Sequence, residues 1–260
     1  MRKRLPLLAL LLLLLTACAA VPQETQAPEP PRNTRLRSDY STDPQGRAAY
    51  PGAVLGVDVS DLQGEIDWEA VRQDGVEFAI LRIGYRGYTK GGLFVDDRFA
   101  ANYVSARKAG LRVGVYFYSQ AITQEEAVEE ARYVLELLDG VTLELPVYFD
   151  WESNPNFSER RTTGYAGDAV GQWALAFCRE IERGGYAAGV YFNQRYGYSI
   201  MHLENLTDYS FWIAEYQDWQ SFSYAADLWQ FTGQGAVEGI KTVVDLNLMY
   251  APEVDDENPS

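Results

Sequence analysis

Pro146-Val147-Tyr148-Phe149-Asp150-Trp151-Glu152 is a short, almost wholly apolar run that ends in two acids. Runs of this length and character read as strands buried on both faces, the mark of a parallel sheet covered by helices. The pattern repeats on either side. Upstream lie Val54-Leu55-Gly56-Val57-Asp58-Val59, then Phe78 to Ile83, then Arg112 to Tyr118. Helical stretches separate them: Asp67 to Asp74, Asp97 to Ala109, and Thr123 to Leu138, the last with Thr123 as N-cap and Glu126 three residues on. Downstream come a helix over Tyr165 to Arg183 and a fifth strand over Ala187 to Phe192.

Past Phe192 the rhythm changes. Phe211 to Ala214, Ala226 to Phe231 and Thr242 to Asp245 are strand-like, with no long helix between them. The expected fold class is α/β, an irregular TIM-like barrel of five β/α units followed by three β-strands. A dinucleotide-binding sheet would want G-x-G-x-x-G after its first strand, and Val59-Ser60-Asp61-Leu62-Gln63-Gly64 does not supply it.

Side chains two apart on a strand share a face, so Asp150 and Glu152 project together. In a β/α barrel the C-terminal strand ends build the active site. Asp58, ending the first strand, and Asp245, ending the last, fall in equivalent places, and closure makes those strands neighbours. An Asp at a strand end often only caps a turn. A pair of buried acids is different, because each raises the other's pKa at a cost in stability. Aromatics gather at the same ends: Tyr116, Tyr118, Tyr191, Trp212, Tyr216 and Trp229. Any one alone reads as core, but six at consecutive strand ends suit a groove that stacks sugar rings.

Composition narrows the chemistry. One histidine, His202, and two cysteines, Cys18 and Cys178, leave no His-rich metal site, no nameable Ser-His-Asp triad and no Cys-His dyad. No metal or cofactor is expected, so carboxylates or tyrosines must do the work. A net charge of −15 is wrong for binding nucleic acid through phosphates.

The first residues read as an export signal. Arg2, Lys3 and Arg4 precede an apolar run, Leu7 to Leu15, that is too short for a stable membrane span. Leu15-Thr16-Ala17-Cys18 then resembles the lipobox of bacterial lipoproteins, which makes Cys18 the expected lipid anchor. The expected division is 1–17 lipoprotein signal peptide, 18–52 lipidated Cys and disordered linker, 53–252 catalytic barrel, and 253–260 acidic tail. Residues 19–52 hold six of the eleven prolines and almost no aliphatics, which is why they read as linker. A monomer, lipid-anchored on the extracytoplasmic face of a bacterial membrane, is expected.

Taken in order, Gly56-Val57-Asp58-Val59-Ser60, Gln63-Gly64-x-Ile66-Asp67-Trp68, Phe78 to Tyr85, Gly114 to Tyr118 and Asp150-Trp151-Glu152 resemble family 25 glycoside hydrolases, the N-acetylmuramidase lysozymes. Gly189-Val190-Tyr191, Trp212 to Tyr216, Leu228 to Phe231 and Val244 to Asn247 extend the resemblance over about 54 to 250. It implies a glycosidase that cuts peptidoglycan glycan strands, with Glu152 as general acid and Asp150 as its partner. Asp58 and Asp245 would complete the acidic cluster. Tyr118, Tyr191, Trp212 and Gln230 would line the sugar site, and Arg82, inside the second-strand motif, is grouped with Tyr116, Tyr216 and Trp229 as substrate-binding. Two other readings stay open: a chitinase-like hydrolase, which matches only Asp150 of its alternate fourth-strand acids, and a non-catalytic wall-binding lipoprotein.

Overall fold

The computed structural model describes residues 29–153, 159–164, 167 and 169–251. Its first strands form a small hairpin, β1 (Ser41–Thr42) with β2 (Ala48–Ala49). Then come β3 (Val54–Val59), α1 (Trp68–Gln73), β4 (Phe78–Arg86), β5 (Leu93–Val95), α2 (Phe99–Lys108) and β6 (Arg112–Ser119). They are followed by α3 (Gln124–Leu138), β7 (Val147–Trp151), α4 (Ala169–Arg183), β8 (Ala188–Asn193) and α5 (Gln194–Ser199). Strands β9 (Ser210–Ala214), β10 (Leu228–Gly235) and β11 (Val244–Met249) complete the chain.

Eight of these strands close into a barrel, in the order β3-β11-β10-β9-β8-β7-β6-β4 and back to β3. All neighbours run parallel except β11, which is antiparallel to β10 and to β3. The period of two sorts every strand. On β7, Phe149 and Trp151 join the outer core, while Tyr148 joins a separate inner cluster. On β8, Val190 and Phe192 point out and Tyr191 in; on β9, Phe211 and Ile213 point out and Trp212 in.

The helices cover the outward residues. Thr123 caps α3 by accepting from the Glu126 amide, and Asp67 caps α1 by accepting from Ala70. Helix α3 buries Ala127, Ala131, Val134 and Leu138 on one stripe, and α4 buries Val170, Trp173, Ala174, Phe177, Cys178 and Ile181. Full burial of each large side chain contributes about 1.5–3 kcal/mol. Cys178 is thus a core residue of α4.

The inward residues fill the bottom of the barrel. Phe78, Ile80 and Tyr148 are fully buried there, and Trp212 lies edge-on to Tyr148 with ring centroids 5.3 Å apart. Two glycines make room. A Cβ on Gly56 would come within 2.2 Å of the Phe78 ring, and one on Gly189 within 2.4 Å of Tyr148. These side chains therefore plug the barrel interior below the C-terminal strand ends.

Several elements differ from expectation. The stretch 29–52 does not hang free as a linker. Asn33 donates from its backbone to Ser223, Tyr40 shares a 2.8 Å hydroxyl hydrogen bond with Tyr250, and the Tyr40 ring packs edge-on to Trp229. Arg47 pairs with Asp74 at 3.0 Å. Prolines and polar residues suggested an open chain, but both tyrosines of this stretch, Tyr40 and Tyr50, and four of its arginines, Arg32, Arg35, Arg37 and Arg47, find partners on the barrel. Strand β5 was also unforeseen, because Leu93–Val95 is three residues long. Helix α4 is described from Ala169, and its expected start at Tyr165 lies outside the described residues. Cys18 and residues 253–260 lie outside the described residues.

Candidate active site

Strand register carries the acids to one place. Asp58 on β3 sits opposite Asp245 on β11, and Asp150 on β7 lies between Tyr118 on β6 and Tyr191 on β8. Glu152 follows one residue beyond β7, on the same face as Asp150. All four carboxylates line a cavity of about 310 Å³ at the barrel mouth. Tyr116, Tyr118, Tyr191, Trp212, Tyr216, Gln230 and Arg82 line it with them.

A hydrogen-bond lattice fixes one side of this cavity. Asp58 Oδ2 accepts from Gln230 Nε2 at 2.9 Å and from Asn247 Nδ2 at 2.8 Å. Gln230 Oε1 in turn accepts from the hydroxyls of Tyr191, at 3.0 Å, and Tyr216, at 3.1 Å. Asn247 Oδ1 accepts from Trp212 Nε1 at 2.8 Å. Asp58 is thereby held rigid, and so are three aromatic rings around it. Arg82, the one cation lining the cavity among the described residues, is fixed by Asp96 at 2.8 Å and by Asp61.

The opposite side is left unsatisfied. Asp150 is buried, yet its Oδ1 has no hydrogen-bond partner among the described residues. A buried polar atom left unpaired costs about 1–3 kcal/mol, more when charged. Burial pushes the Asp150 carboxyl well above the usual carboxylate range, and the charges of Glu152 and Asp58 add to it while Arg82 opposes. Asp58 is raised for the same reasons, by burial first and by Asp245 second. Burial also lifts Glu152, against the Tyr191 hydroxyl and with help from Asp245. Burial raises Asp245 to about 6. So crowded a set of carboxyls retains protons toward neutral pH, which suits proton donation to a leaving oxygen.

Backbone contacts hold Glu152 in position. Gln120, fully buried, donates Nε2 to the Glu152 carbonyl oxygen at 2.7 Å. Trp151 Nε1 donates to the Ala121 carbonyl at 2.9 Å, locking the preceding residue into the outer layer.

Trp229 does not join the other sequence-predicted residues. Its indole is fully buried in the outer core, donating to the Glu215 carbonyl at 2.8 Å and packing on Tyr40 and Phe231. The reason is parity: Trp229 and Gln230 are adjacent on β10 and cannot both face the lumen. His202 pairs with Glu204 away from the mouth.

Sequence reasoning also missed residues. Asn247 is two positions from Asp245 on β11, so the same parity pointed to it. Gln63, Leu62 and Tyr88 line the rim. Gln63 is fixed by a capping box with Ser60, a pattern visible in Ser60-x-x-Gln63. Tyr88 sits in the turn between β4 and β5, which left no periodic signal.

Comparison with known proteins places this geometry. The sequence model of Glycosyl hydrolases family 25 matches residues 57–240. Lysozyme M1 of Streptomyces globisporus is 32% identical over 129 residues, 47% of this chain and 42% of that protein. The autolytic lysozyme of Clostridium acetobutylicum is 27% identical over 199 residues, 74% of this chain and 54% of that protein. The chain thus spans about half the length of these relatives. Among solved structures, the modular autolysin LytC from Streptococcus pneumoniae, in complex with synthetic peptidoglycan ligand, superposes with a TM-score of 0.68 at 24% identity. That alignment covers 85% of this chain and 52% of LytC, and at such identity the likeness speaks for the fold.

Proposed function

The chain belongs to glycosyl hydrolases family 25, and from that premise we propose that it is a lysozyme-type muramidase, hydrolysing the β-1,4 bond between N-acetylmuramic acid and N-acetylglucosamine in peptidoglycan. The observation that carries this reading is the mouth itself, four carboxylates with raised pKa values ringed by sugar-sized aromatic faces. Its lysozyme relatives support it.

Glu152 is the general acid, protonating the glycosidic oxygen as the bond to C1 breaks. The 2-acetamido carbonyl of the muramic acid attacks C1 from the opposite face, forming a cyclic oxazolinium. Asp150 accepts the acetamido N–H, which strengthens that attack, and its unpaired Oδ1 is free for this bond. Glu152, now ionised, takes a proton from the water that opens the ring, so the anomeric configuration is retained. Asp58 and Asp245 hold the field that keeps Glu152 protonated. Tyr118, Tyr191, Trp212 and Tyr216 offer ring faces, and Gln230 and Arg82 hydrogen bonds, to the sugars.

The finer reading of the barrel, five β/α units followed by three β-strands, is supported by the connections after β8, where α5, of six residues, is the longest helix among the described residues. The lipobox-like Leu15 to Cys18 supports export and a lipid anchor on Cys18, with the barrel acting as a monomer on the extracytoplasmic side. Cys18→Ser should then abolish lipid labelling and release the protein from membranes; a labelled, membrane-bound variant overturns the anchor. For the activity, purified peptidoglycan is incubated with the protein and the new reducing-end sugar identified by mass spectrometry. N-acetylmuramic acid is expected. N-acetylglucosamine at the new ends, or no new ends, contradicts the reading.

A further inference from the structure

A second cavity, of about 480 Å³, opens beside the acid-lined mouth, and the two share one wall, the Tyr216 side chain. Tyr216 is 61% exposed, so the ring stands as a partition that both spaces reach around. The second cavity lies over the rim, between the loop after β9 and the turn joining β10 to β11. Its outer wall is the β1–β2 hairpin, which precedes the family-matched residues 57–240.

That hairpin is a fixed wall. Asp43 Oδ1 accepts from the backbone amides of Gln45 and Arg47, at 2.9 and 2.8 Å, which pins the turn. Arg47 then reaches Asp43 at 2.6 Å and Asp74, beyond the end of α1, at 3.0 Å. The guanidinium is neutralised by these two acids, so Arg47 offers no free cation that would recruit a phosphate or a carboxylate.

What the cavity does present is a set of neutral hydrogen-bonding groups, Thr42, Gln45, Gln217, Thr232 and Gln234, with one carboxylate, Asp218, beside them. Gln217 spends its amide nitrogen on Glu215 Oε1 at 3.1 Å, and Gln234 spends its own on the Gly233 carbonyl at 2.8 Å. Each of these two cavity-lining carboxamides keeps its acceptor oxygen out of those bonds. Three carboxamides and two hydroxyls lining one cavity are complementary to the backbone amide groups of a peptide.

We infer that this rim cavity binds the peptide stem carried by the muramic acid being cleaved. The inference rests on the muramidase reading above. If Glu152 and Asp150 address C1 and the acetamido group of a muramic acid, the lactyl ether on C3 of that same ring lies within one sugar's width of them. The stem it carries must leave the mouth on one side, and the amide-lined cavity behind Tyr216 receives it. The site thereby selects glycan that still bears peptide.

The test compares two substrates with the full chain. One is glycan strands with stems intact, the other the same strands after an amidase has removed the peptides; new reducing ends give kcat/KM for each. The wild-type protein should cleave stem-bearing strands more efficiently. Gln45→Ala, Gln217→Ala and Gln234→Ala each alter an exposed side chain outside the catalytic cluster. Each should lower kcat/KM on stem-bearing strands by roughly 2- to 12-fold, the range for one lost hydrogen bond, and leave stripped strands unchanged. Equal wild-type efficiency on the two substrates overturns the inference, and so do variants that lose equally on both, since the cavity would then serve the glycan. No new reducing ends on either substrate brings down the muramidase reading instead, and the inference with it.

Discussion

At the floor of the barrel Tyr148 is fully buried, packs against Trp212 and shares its hydroxyl with Ser210 at 3.0 Å. Two residues along the same strand and on the same face, Asp150 is buried as well, yet one carboxylate oxygen has no partner among the described residues. The floor is built of apolar rings fitted to glycines, with its polar atoms paired. The mouth collects four acids whose charges oppose one another. One strand thus serves two ends under different rules: the floor minimises free energy, and the mouth stores an electrostatic cost that a substrate can relieve. Such strain persists only because the surrounding core holds it in place.

The comparison breaks most visibly through Asp150→Asn. Activity on peptidoglycan should fall by about 10²-fold or more, while the melting temperature near neutral pH rises because a carboxyl whose ionisation burial disfavours is gone. Asp58→Asn and Asp245→Asn should be less damaging, since Asp58 already spends Oδ2 on Gln230 and Asn247. A folded Asp150→Asn that loses stability, or stays more active than Asp58→Asn, would dissolve the contrast. Steady-state kinetics and thermal melts on the same preparations read both quantities.

At the floor the opposite pairing is expected. Gly189→Ala places a Cβ 2.4 Å from the Tyr148 ring and 2.8 Å from the Ser210 carbonyl. Overpacking of this kind costs about 1–3 kcal/mol, and kcat per folded molecule should be unchanged. Urea unfolding with activity normalised to the folded fraction checks it.

A smaller effect concerns pH. The folded-state pKa of Asp245 is raised from its ordinary 3.8 to about 6, so the folded protein binds this proton more tightly than the unfolded chain does. The associated stability is full below about pH 4 and is lost as pH rises through about 6. Asp245→Asn removes the charge that causes the loss. The variant should therefore gain up to about 3 kcal/mol over wild type at pH 7.5 and little at pH 4. A gain that is the same at both pH values contradicts the raised pKa.

Much of this was legible in the residues. Five short apolar runs marked parallel barrel strands, and Asp150-x-Glu152 fixed which ends carried chemistry. Parity on β10 and β11, applied one step further, would have removed Trp229 and supplied Asn247. The hairpin at 41–49 could not be read in this way. Its strands are two residues long, its partner Asp74 is distant in sequence, and so is Tyr250, the partner of the flanking Tyr40, so neither period nor length marks it. Tyr88 was hidden for a similar reason, because it rides on a turn whose second strand has three residues.

The account turns on Glu152 as the proton donor, and the most direct test is Glu152→Gln assayed on two leaving groups. On peptidoglycan the variant should lose about 10²–10⁴-fold in turnover, with its melting curve intact. On an aryl glycoside of the N-acetylglucosaminyl-N-acetylmuramic acid disaccharide, whose acidic phenol departs without a proton, it should keep a rate within about tenfold of wild type. Equal losses on both substrates in a folded protein would contradict the assignment.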